Sequence, residues 1–179
     1  MKKFLNKLED KVSEWFKGAP NLPSDARKWL GENAWWIVIV GIIITILSAL
    51  RGLAFLEAQV SLQGTAARSY YVVSSASLDW LILTNIVSVA FLILQIFILI
   101  LAVKPLKEMQ KKGWVLLFAT WLVSGVSLVA NALLTFGLAS FIIAVLFGAV
   151  WLAVSGYFLF EIHGQFAHVE RSKGVKKAK

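Results

Sequence analysis

Four long stretches of the chain, residues 34–56, 80–103, 114–134 and 138–160, are almost wholly apolar, and charged residues gather between and beyond them. Crossing about 30 Å of hydrocarbon at about 1.5 Å per residue takes about 20 residues, so each stretch is long enough to span a bilayer as a helix. Backbone N–H and C=O groups find no water in lipid, which leaves helices or closed barrels, and these runs lack the polar alternation of a barrel strand. The pattern predicts an all-α, polytopic membrane protein with four transmembrane helices in an antiparallel bundle. Arg51 is the one charge inside the four runs.

Ahead of the first run the period changes. In "FLNKLEDKVSEWF", Phe4, Leu5, Leu8, Val12, Trp15 and Phe16 project into one arc of about 120° at about 100° per residue, with every charge outside it. An N-terminal amphipathic helix is expected, lying in the membrane interface; the alternative is a helix packed against the bundle's own loops. Pro20 and Pro23 then punctuate the chain, and Ser24 is placed to cap a short lead-in helix through Leu30. Residues 1–33 are read as this leader, 34–160 as the transmembrane domain with an external loop at 57–79, and 161–179 as a basic tail.

Composition narrows the reading. Of 179 residues 59% are hydrophobic and only 16% charged, more than a water-soluble core of this size requires. No charged residue occurs from Gly113 to Phe160. The absence of cysteine removes disulfide frameworks, thiolate metal sites and CxxC redox chemistry, and with them the quinone-linked disulfide oxidases. A net charge of +8 invites a nucleic-acid reading, but the cations sit beside apolar runs rather than across a face. Their placement is topological. Lys2, Lys3, Lys7, Lys11, Lys17, Arg27 and Lys28 precede the first run, Lys104, Lys107, Lys111 and Lys112 separate the second from the third, and Arg171, Lys173, Lys176, Lys177 and Lys179 follow the fourth. Of eighteen basic residues, Arg51 and Arg68 alone fall on the other side. The positive-inside rule then puts both termini in the cytoplasm. Trp35, Trp36, Trp114 and Tyr157 fit an inner interfacial belt, and Trp80 an outer one. A signal anchor is expected rather than a cleaved signal peptide, because 33 residues precede Ala34.

Within the oil, small and hydroxylated residues recur on one face of each run. They are Gly41, Thr45, Ser48 and Gly52; Thr84, Ser88 and Gln95; Thr120, Ser124, Ser127 and Asn131; and Ser140, Ala144, Gly148 and Ser155. Lipid supplies no hydrophobic force between helices, so close backbone approach and hydroxyl bonds across a seam must supply the attraction. The competing reading is a hydrophilic path, which is ordinarily marked by buried ionisable groups, and the second to fourth runs carry none. A packing stripe is therefore expected.

A second constellation lies toward the outer leaflet. Counted at about 1.5 Å per residue, Arg51 and Asn131 lie about 26 Å along the first and third runs, and Asn85 about 8 Å inside the second. All three reach a similar depth, and with Asp79 they would form one polar cluster, either a hydrogen-bonded brace or a shallow recess for an anionic head group or small ligand. The plainer account has Arg51 snorkelling to phosphates while each Asn bonds a nearby backbone. His163 and His168 would point about 140° apart on a helix, unlike a metal-sharing i, i+4 pair, so neither metal nor cofactor is expected. In "KKGW", Lys111 to Trp114, charge, a permissive Gly and an aromatic ring read as an interfacial anchor.

On "KKGWVLLF" (111–118), "GYFLFEI" (156–162) and "LPSDARKWL" (22–30), the chain resembles small four-helix membrane proteins of bacteria that have no assigned activity. The resemblance implies an all-helical inner-membrane protein and carries over no catalytic residue. Three functions compete. A non-catalytic scaffold or accessory subunit would meet a membrane-protein partner or further copies of itself, its basic tails attracting anionic phospholipids at about 1 kcal/mol per charge. A small passive transporter or channel would work as an oligomer. A lipid-acting enzyme would need a nucleophile, an acid–base pair or a metal cluster at the interface, and no such grouping of His, Asp and Glu is legible. The first is favoured: not an enzyme, and no nucleic-acid partner.

Overall fold

The computed structural model describes residues 8, 11, 12, 14–16, 18, 20–66, 75–134 and 138–166, with side-chain surroundings given outside 62–66, 75–78 and 138–140. Phe4, Leu5, Arg68, His168 and the basic tail beyond Phe166 lie outside these residues, as does the side chain of Ser140. Four long helices make up the fold: α1 (Ser24–Ala66), α2 (Ser75–Lys107), α3 (Lys111–Leu134) and α4 (Leu138–Glu161). No strand occurs among the described residues. All four helices are long and apolar enough to cross a membrane. They leave large side chains such as Ile43, Leu47, Phe97, Val129, Phe147 and Val150 on the outside. Surfaces of that kind suit lipid, not water.

Helix α1 differs from the expected span at both ends. The lead-in and the span are one helix of 43 residues. The first helical bond runs from Arg27 N–H to the Pro23 carbonyl at 3.0 Å, so Ser24 is the first helical residue rather than the cap. At its far end α1 continues through ten residues expected in the external loop, because 57–66 holds no proline and only one glycine to stop it. At about 64 Å the helix is roughly twice as long as a bilayer core is thick.

Helices adjacent in sequence pack on one another, α1 on α2, α2 on α3 and α3 on α4. The link from α2 to α3 is only residues 108–110, because both helices run on into the ten residues expected between the second and third spans. Gln110 N–H donates to Pro105 O at 2.8 Å and Met109 N–H to Leu106 O at 2.9 Å, with Met109 at φ 53°. That 6→1, 5→2 pair is a Schellman cap built on a non-glycine residue. Gly113 then passes so close that an added Cβ would stand 2.7 Å from Leu106 N.

Beside this turn, at what we term the basic end, lies the core. Trp114 is completely buried, stacked on Phe118 at 5.4 Å and 7°, with Phe160 edge-on to both at 5.7 and 5.9 Å. Ala34, Val38, Ala102, Leu106, Leu159, Ile162 and Phe166 close around it. Trp114 is thus a core ring, not the interfacial anchor that KKGW suggested. Its Nε1 donates to the Leu159 carbonyl at 2.8 Å, which lets an indole be buried without an orphaned donor. The described residues of the leader join the same core. Val12 is buried and Phe16 stacks on Phe160 at 5.3 Å, whereas Trp15 is 72% exposed.

Candidate functional site

The Asn85 end of the molecule is built on different chemistry. Leu134 carries one of the last carbonyls of α3, which has no partner within its own helix. The Trp80 indole donates to it at 2.6 Å, and Thr84 Oγ1 approaches the same oxygen at 3.5 Å while also bonding Trp80 O at 2.9 Å. One turn further in, Ser88 Oγ reaches Asn131 Oδ1 at 2.5 Å, and Asn131 Nδ2 donates to Ser127 O at 2.9 Å and Ser127 Oγ at 3.2 Å. Toward α1, Asn85 Nδ2 donates to Gly52 O at 3.0 Å. A carbonyl has two lone pairs, so Gly52 O can accept this bond beside its helical one.

Gly52 permits that contact, since an added Cβ would lie 2.8 Å from Val89 Cγ2. Between α1 and α2 a groove of ≈ 680 Å³ opens sideways beside it, and Arg51, Phe55 and Ala58 from α1 face Asn85, Ser88 and Leu92 from α2. Of the expected outer cluster, Arg51 and Asn85 share this groove and Asn131 touches it through Ser88. Asp79 is exposed, six residues before Asn85 and about 9 Å away along the helix.

The stripe residues sort into three behaviours. Gly52 and Gly148 make close approaches, the latter so tight that a Cβ would meet Leu128 Cδ1 at 2.1 Å. Between helices, Ser124 Oγ bonds Gln95 Oε1 at 3.3 Å across α2 and α3. Thr45, Ser48, Thr120 and Ser155 instead turn back on carbonyls four residues earlier, at 2.7 to 3.0 Å. Gly41 has nothing within 4 Å of where a Cβ would stand, and Ala144 is half-buried. Gly41, Thr120, Ser124 and Ser155 line a second recess of ≈ 490 Å³, walled by α1 and α4 with Trp151 and Phe158.

Several ties escaped the sequence reading. Trp121 Nε1 donates to Leu152 O at 3.0 Å, Tyr157 O–H to Pro20 O at 2.6 Å, and Leu22 N–H to Glu161 Oε2 at 3.2 Å, with Arg27 Nε 3.7 Å from the same carboxylate oxygen. They join α4 to α3 and to the start of α1, and long-range pairings of this kind leave no periodic trace. Gln59 is 6% exposed, and among the described residues its Oε1 accepts no bond. Among the described residues no three His, Asp or Glu side chains group to hold a metal, and the His163 ring lies 4.4 Å from that of Trp114. No family model matches the chain, and neither a curated protein nor a solved structure matches it.

Proposed function

We propose that this chain is a non-catalytic scaffold or accessory subunit of the bacterial inner membrane. In this reading its four helices form an antiparallel bundle with both termini and the α2–α3 turn in the cytoplasm. The leader lies against that face, and the basic tails meet anionic phospholipid. One observation carries the reading. The polar side chains of α2 and α3 named here, with Arg51 and Gln59 of α1 set apart, are engaged by the bundle itself: Thr84, Asn85, Ser88, Gln95, Ser124 and Asn131 each bond a helix carbonyl or one another. Groups so engaged serve architecture. A water path needs free donors and acceptors along its length, and a reaction site needs a group poised to act. The distribution of lysine and arginine supports the orientation.

Crosslinking in native membranes, followed by identification of the neighbours, tests the role. A scaffold gives the same few membrane-protein partners reproducibly; solute-dependent swelling of vesicles holding the purified chain alone would establish a conduit in its place. Orientation is read separately from single cysteines. Ser61→Cys and Lys107→Cys should react with an impermeant thiol reagent from opposite faces, and reaction from one face overturns the topology.

A further inference from the structure

Arg51 is the one charged side chain lining the ≈ 680 Å³ groove between α1 and α2, and among the described residues it has neither a hydrogen bond nor an ion pair. A guanidinium carries five N–H donors, and leaving them all unmet inside a membrane span is costly. The other polar side chains of the groove are engaged: Ser48 bonds Ile44 O, Asn85 bonds Gly52 O, and Ser88 bonds Thr84 O and Asn131. Arg51 is therefore the group in the groove that still calls for a partner, and an anion is the partner its charge complements.

Arg51 is exposed at the groove, where its long side chain can meet a group arriving from the lipid. The nearest acids in sequence on its own helix and at the start of α2, Glu57 and Asp79, sit about 9 Å beyond the level of Arg51 and Asn85. Among the described residues the groove itself holds no acid, so the anion comes from outside it. The rest of the groove says what that anion is attached to, for Ala54, Phe55, Ala58, Val89 and Leu92 form apolar walls. The volume falls within the ~300–1,000 Å³ of ordinary ligand clefts.

We propose that this groove seats one glycerophospholipid from the adjoining leaflet, its phosphate on the Arg51 guanidinium and an acyl chain against Val89 and Leu92. Charge complementarity and the apolar walls select an anionic amphiphile together; neither a free anion nor an uncharged lipid satisfies both. The inference needs only the membrane setting, not the scaffold role, so the crosslinking result above can fail while this one stands.

Native mass spectrometry of the protein released from mild detergent, with phosphatidylglycerol or diacylglycerol of the same chains added, reads the seat directly. The wild-type chain should retain one phosphatidylglycerol and no diacylglycerol. Arg51→Leu should lower that occupancy on the order of tenfold, as loss of a charge-assisted bond implies. Arg51→Lys, which keeps the charge, should retain an intermediate share. Ala54→Trp leaves the arginine but fills the apolar wall, and should also empty the seat. Wild-type occupancy in either Arg51→Leu or Ala54→Trp, or equal retention of diacylglycerol, overturns the proposal. The Arg51→Lys and Ala54→Trp results decide it if Arg51→Leu does not fold.

Discussion

At the basic end, large apolar side chains from the leader, all four helices and the turn after α4 close a core around Trp114, and Trp114, Phe118, Leu106 and Phe166 are almost or wholly removed from solvent. At the Asn85 end the buried apolar residues are Ala49, Val89 and Ala132, and helices are joined there by hydrogen bonds through Trp80, Asn85, Ser88 and Asn131. The two ends hold their helices by different means. Val12, Ile162 and Phe166 lie before or after the four long helices, and burying apolar surface of that kind away from water is favourable. Inside hydrocarbon that force is absent, and contact rests on close packing and on polar bonds. A joint made of a few bonds need not be filled from side to side, so grooves open beside it.

The comparison predicts unequal costs. Trp114→Ala should be the most damaging single change, because it opens a cavity among rings that touch on several sides and orphans the bond to Leu159 O. A loss of about 3–5 kcal/mol is expected, read as the unfolding free energy in mixed micelles. A smaller loss than for Asn131→Leu would reverse the ranking of the two ends.

Next comes Gly113→Ala. Its methyl group would meet the backbone of Leu106 and Pro105 at 2.7 and 2.9 Å, and backbone cannot rotate aside as a side chain can. Overpacking of about 1–3 kcal/mol is expected, together with a weakened Schellman turn. Retained stability with unaltered proteolysis at 108–110 would show that the α2–α3 turn is looser than its close contacts imply.

How much of this was readable beforehand depends on whether the signal is local. Four apolar runs are local, and they gave the number of helices and the all-helical class. The long α1 was not, because the end of a membrane run and the end of a helix are separate events, and 57–66 keeps its helical bonds after its side chains turn polar. Trp114 was misread for a related reason: interfacial anchors and core rings have the same local pattern, and the distinction lies in Phe118, Phe160 and His163, up to 49 residues away. Arg51 and Asn85 were matched by depth, since helix rise converts sequence distance to height; which face each presents needs the crossing of α1 and α2 at Gly52.

At the far end, Asn131→Leu keeps the side-chain size and removes the bonds to Ser88 and Ser127. Polar bonds within membranes average about 0.6 kcal/mol and reach about 1.7, so a loss in that range is expected from the same micelle titration. A loss near that of Trp114→Ala would mean that the polar joint, not the aromatic core, holds the helices together.

The smallest effect is expected at Gly41, and its contrast with Gly52 tests the small-residue stripe most finely. Gly41 and Gly52 both lie on α1, eleven residues and about three turns apart, so a sequence stripe treats them alike. Alanine at Gly52 would bring a methyl within 2.8 Å of Val89 Cγ2, on a β-branched side chain with little freedom at χ1, and should cost about 1 kcal/mol or somewhat more. Alanine at Gly41 meets open space and removes only glycine's excess backbone freedom, so it should be neutral or stabilise by up to about 1 kcal/mol. Equal losses at the two positions would mean that α1 is gripped along its whole length, with the α1–α4 recess closed in the membrane. Opposite signs would confine the grip of α2 on α1 to the level of Asn85, next to the groove that holds Arg51.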